Sequence, residues 1–182
     1  MISTTTMRLG SLVLALVFAL AACSDGPTFP GDQDGNIQVT GALNLNFDME
    51  VVQVMESAGQ QGFLPFVIIQ MTTKEDSPDH GVLVVHCATM AKPGLYDVVE
   101  VFEETDLESE ECMAYLIPST GGLPRTFVTT GGTVGIESRT ETQVAASLDF
   151  NAREFDMEGE RWHPSGATVR VRGPISWRLD GN

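Results

Sequence analysis

The chain has 182 residues, with 10 Lys+Arg against 25 Asp+Glu and a formal net charge of −15. So acidic a chain has no overall electrostatic reason to hold nucleic acid or anionic headgroups. In chain order, the first feature is an apolar run, Leu9 to Ala22, behind a leader whose only charged side chain is Arg8. That run is too short to cross a bilayer core, which takes about 20 residues, and it matches a signal-peptide core of about 7–15. Two small residues, Ala21 and Ala22, then precede Cys23.

Leu20-Ala21-Ala22-Cys23 resembles the lipobox of bacterial lipoproteins. The resemblance implies cleavage before Cys23, a diacylglyceryl group on its thiol and an acyl group on the new amino terminus. Each buried methylene is worth about 0.8 kcal/mol and one chain anchors only marginally, but three hold essentially permanently. Ser24 follows the cysteine, and Asp25 comes one place later, which in Gram-negative members of the family points to the outer membrane. Residues 1–22 are therefore expected to be a signal peptide, and 182 minus 22 leaves 160, one domain's worth. Of three cysteines, lipidation of Cys23 leaves Cys87 and Cys112 in an oxidising compartment, so a disulfide between them is expected. The alternative is two buried, reduced thiols acting as small hydrophobes.

Residues 23–36 are rich in Gly, Pro and Asp and read as a flexible tether. Asp32, Asp34 and Asn36 have the spacing that opens a calcium loop, but Ile37 and Leu43 occupy the places of the required glycine and glutamate. From Ile37 to Val51 every odd position except Gly41 is apolar and nearly every even one polar, which puts the apolar side chains on one sheet face. As one strand the run would be about 50 Å long, against a usual 17–20 Å, so a break or bulge is expected at Gly41. The phase slips after Val51.

Phe63–Met71, Val82–Ala88 and Cys112–Pro118 are dense apolar runs, read as buried strands. His86 beside Cys87 has no second ligand at a recognised metal spacing. Leu95–Phe102 has partly helical spacing, but Pro93-Gly94 and three valines favour strand. Glu103–Glu111 carries six acids; with no glycine to shape it around a cation, it reads as a solvated loop, and no metal site is expected. Thr133–Ser138 and Val144–Ala152 alternate on either side of a short polar turn, a hairpin pattern. Val169–Leu179 alternates too, and Pro174 within it predicts an edge strand or a break.

Gly131–Ile136, Val144–Ala152 and Val169–Gly173 resemble the C-terminal half of uncharacterised bacterial β-sandwich lipoproteins, a family that implies no activity. Turn signals throughout and no long helical pattern predict one all-β domain over 37–182, an antiparallel β-sandwich, with a small β-barrel as the alternative. No nucleophile elbow, zinc-protease motif or phosphate loop is present. The expected function is a non-catalytic, lipid-anchored envelope protein with a structural or partner-binding role and no cofactor. Its partners would be the membrane, through Cys23, and an envelope protein or glycan. The alternative is a glycan- or peptide-binding module using a loop at Arg161–Gly166, with Trp162 to stack on a sugar and His163 to hydrogen-bond. A hydrolase built on a carboxylate pair is the third reading.

Overall fold

The computed structural model describes residues 34–59, 64–89, 92–100, 107–119, 125–158 and 161–179. The expected signal peptide, Cys23 and most of the tether lie outside them. Nine strands form among these residues: β1 (Asp34–Gly41), β2 (Leu45–Ser57), β3 (Phe66–Thr73), β4 (Gly81–Cys87), β5 (Gly94–Val98), β6 (Glu111–Pro118), β7 (Thr126–Arg139), β8 (Gln143–Glu158) and β9 (Arg161–Arg178). The all-β expectation is met. The strands make one sheet in the order β1-β2-β3-β4-β6-β5-β7-β8-β9, and β9 pairs back onto β1, so the hydrogen bonds run in a ring. Opposite walls face each other across one core, as sandwich layers do, while closure removes the free edge that open sheets must protect. Every pairing is antiparallel except β5 with β6.

The alternating run at the start of the domain supplies two strands. The break at Gly41 (φ 108°) is a reversal, and the run folds back as the β1–β2 hairpin, with Ile37 opposite Phe47 and Val39 opposite Leu45. Alternation survives the turn, so both strands send their apolar side chains inward. Residues Asp34–Asn36 belong to β1, three residues that the sequence assigned to the tether, because they pair with Asp48–Glu50. The phase slip after Val51 is a bulge against β3. Period two also governs the interior: Ile37, Phe47, Met71, Leu83, Leu116, Phe150, Val171 and Trp177 are fully buried in one cluster that fills the ring.

Pro174 does not make β9 an edge strand or break it. The strand runs continuously from Arg161 to Arg178 and pairs on both sides. The interruption falls only on the β1 side, between the Gly35–Ile175 and Gln38–Arg172 pairs. There Gly173 (φ 156°) brings the strands so close that a Cβ on it would lie 2.1 Å from the Asn36 carbonyl oxygen. A proline with no N–H to give is accommodated where the ladder is already irregular.

β5 enters the ring as a wedge. β6 pairs directly with β7 at Tyr115–Val128 and Leu116–Phe127, then the two part and β5 fills the gap. Thr129 sits at the fork, fully buried. Its hydroxyl accepts from the Ala114 N–H at 3.2 Å and donates to the Val99 carbonyl at 3.0 Å. A buried hydroxyl there satisfies two backbone groups that the branching strands leave without ladder partners.

Candidate functional site

Cys87 and Cys112 face each other in register on β4 and β6 and are joined by a disulfide, with Cα atoms 3.9 Å apart. Both lie in the core, so the bridge is a staple and not an exposed thiol pair. Next to it, His86 points to the other side of β4. It is buried, with its ring centroid 5.8 Å from that of Phe66. No group of three or more His, Cys, Asp or Glu that could hold a metal ion occurs among the described residues. Residues 103–106 of the acidic stretch lie outside them.

The segment expected to be a ligand-binding loop is strand instead. Arg161–Gly166 continues β9, with Trp162 opposite Met157, His163 opposite Asp156 and Pro164 opposite Phe155. Glu158 pairs with Arg161, so Pro164 lies inside the ladder, while residues 165–167 fall at the register shift between the Phe155–Pro164 and Arg153–Thr168 pairs. His163 through Gly166 are exposed.

Two outer surfaces are chemically distinct. On β3, β4 and β6 the outward positions are largely apolar. Ile68 lies opposite His86, which lies opposite Met113; Val84 lies opposite Tyr115; Val82 lies opposite Ile117. Met55 extends the first row onto β2. Val99 and Leu107 pack over the Met113–Tyr115 end, while Ile68, Val82, Val84 and Ile117 are half-buried. The dense apolar runs are thus fully buried on the inner face, while on the outer face burial is complete only toward the His86–Met113 end.

On β8, β9 and β1 the outward positions are polar. Asp149 accepts two hydrogen bonds from each of two arginines. Arg170 donates through Nε and Nη2 at 2.8 and 3.0 Å, and Arg172 through the same atoms at 3.0 and 3.0 Å. These bonds, Arg170's first, hold the Asp149 carboxyl far below the usual carboxylate range, and the hydrogen bond to Asp149 in turn raises Arg170. Nearby, Arg125 pairs with Glu154 and lies over the Phe127 ring at 5.2 Å; the hydrogen bond from Arg125 lowers Glu154. A shallow, open depression of about 430 Å³ lies beside the Asp149 cluster, with Thr40, Thr130, Asn151, Thr168 and Arg170 among its walls.

Sequence reasoning missed both surfaces. Period two does put Arg170 and Arg172 on one face, but their meeting with Asp149 depends on the β8–β9 register, which sequence does not state. No protein-family model, no curated protein and no solved structure matches the chain.

Proposed function

We propose that this chain is a lipid-anchored, non-catalytic protein of the cell envelope, held in the outer membrane through Cys23, whose closed sheet presents its outer wall to a protein partner. The observation that carries the partner-binding role is the apolar outer face of Ile68, Val82, Val84 and Ile117 on three successive strands. Contiguous apolar surface of this kind marks contact sites more often than chance. The partner's chemistry follows from charge. Residues 34–119, which contain these strands, carry fifteen Asp+Glu against two lysines. A complementary surface is therefore apolar at its centre and basic at its rim, and an anionic membrane is disfavoured. The Cys87–Cys112 bridge supports an oxidising compartment and leaves Cys23 as the one cysteine remaining for lipid.

The anchor and the contact are tested separately in the full chain. Cys23→Ala moves the protein from the membrane to the soluble envelope fraction; sedimentation equal to the parent's refutes the anchor. Val84→Asp with Ile117→Asp abolishes cross-linked complexes in intact cells while the circular dichroism spectrum is unchanged. Complexes that survive in a folded double variant refute the contact face.

A further inference from the structure

We propose that the paired arginines of β9, Arg170 and Arg172, form a binding site for a phosphate group, independent of the apolar face on the opposite wall. Four observations converge on this. First, the two guanidiniums are pre-organised. Each turns one edge, Nε and Nη2, to Asp149, so neither needs to give up side-chain freedom on meeting a ligand. Second, a guanidinium has five N–H donors, and Asp149 takes two from each, leaving three on each side chain for an oxyanion. Third, both arginines remain accessible, with 47% and 54% of their side chains exposed.

The fourth observation is the setting. The row through Asp149 and Arg172 continues to Thr133 on one side and to Gln38 and Asn46 on the other. Next to it, Asn151, Arg170 and Thr40 form a second row. Asp149 is the carboxylate that the two arginines hold; the next carboxylate of the first row, Asp97, lies beyond Thr133 on β5. Arg170 belongs both to the ion-pair cluster and to the depression, where Thr40, Thr130, Thr168 and Asn151 add hydroxyls and an amide. Guanidinium donors fixed beside a concavity suit a tetrahedral oxyanion. The phosphate can be free, carried on a glycan, or a lipid headgroup, and the chemistry recognised is the same.

The test titrates the whole chain with inorganic phosphate and follows the arginine Nε–H resonances. Saturable shifts of Arg170 and Arg172, with a Kd of about 1 mM, are expected, with chloride at equal ionic strength leaving them unmoved. Replacing both residues by glutamine weakens phosphate binding at least about tenfold, while Arg178→Gln, at the far end of β9, leaves it unchanged. A linear, unsaturated drift, or a shift that chloride reproduces, overturns the site. So does unchanged affinity in the double variant with its spectrum intact. The titration of the parent protein decides the matter even if that variant fails to fold. Cosedimentation of the unlipidated Cys23→Ala chain with phosphatidylcholine vesicles only when phosphatidylglycerol is included identifies the lipid headgroup as the source. Phosphate binding without cosedimentation identifies a soluble or glycan-borne phosphate.

Discussion

The wall built from β3, β4 and β6 and the wall built from β8, β9 and β1 enclose the same core but present opposite exteriors. The first has strands of seven or eight residues, largely apolar outside as well as in, and the disulfide. The second includes strands of sixteen and eighteen residues, alternating over Val144–Ala152 and Val169–Arg178, with an arginine–aspartate cluster outside. Charge divides along the chain and not by wall: residues 34–119 hold fifteen acids and two bases, of which only Glu111 stands on β3, β4 or β6, whereas 125–179 hold seven of each. The interior needs only one apolar residue in two along each strand. Whatever departs from that minimum therefore serves something other than closing the ring. On the first wall the departure is extra apolar surface, and on the second it is charge pre-paired across strands.

Removing the staple of the first wall is expected to have the largest effect. The Cys87–Cys112 bridge spans 25 residues, and closing such a loop is worth about 3.5 kcal/mol in the loop-entropy model. Cys87→Ser with Cys112→Ser should lower Tm by about 10 °C, because each kcal/mol shifts a domain of this size by about 2–4 °C. Thiol titration of the unfolded, unreduced protein should find neither cysteine free. A double variant that melts with the parent would mean the short-stranded wall does not depend on its staple.

Next in size is the fork where β5 wedges between the walls. Thr129→Val keeps shape but removes the hydroxyl that serves the Ala114 N–H and the Val99 carbonyl. Leaving buried backbone groups unsatisfied costs about 1–3 kcal/mol. Thr133→Val, a few residues along on the outward side of β7, should stay within about 0.5 kcal/mol. Equal urea midpoints for the two variants would show that the fork is not held by this side chain.

Those expectations also mark how far the sequence could be read. Alternation located the inward side chains of β1, β2, β8 and β9 correctly, because period two is local and needs no partner strand. Strict alternation also explains why Pro174 misled: the local rule says edge or break, but the irregular ladder beside Gly173 tolerates it. The dense runs of β3, β4 and β6 carried no phase, so which residues face out emerged only from pairing. Ring closure was equally hidden, since it depends on β1 meeting β9 across the length of the domain. The cysteine pairing was legible by counting, while the Arg170–Asp149–Arg172 cluster needed a register that turn chemistry alone does not give.

The smallest effect belongs to the second wall and is best seen through pH. Asp149 is held far below its ordinary range by hydrogen bonds from Arg170 and then Arg172. For a carboxylate whose folded value is depressed, the stabilisation is full above the unfolded value of about 3.9. It drains away as pH falls toward the folded one. Glu154, lowered by Arg125, acts in the same direction. Stability is therefore expected to be level from pH 7 to about 5 and to decline progressively below about 4. The Asp149 side chain is 41% exposed, so solvent screening limits Asp149→Asn to less than about 1 kcal/mol at pH 7. The decisive reading is the gap in urea midpoint between parent and Asp149→Asn, which should narrow as the pH drops below about 4. A gap constant from neutral pH to about 2 would mean the arginine pair draws no stability from its aspartate. The two walls would then differ in surface chemistry but not in how that chemistry is held.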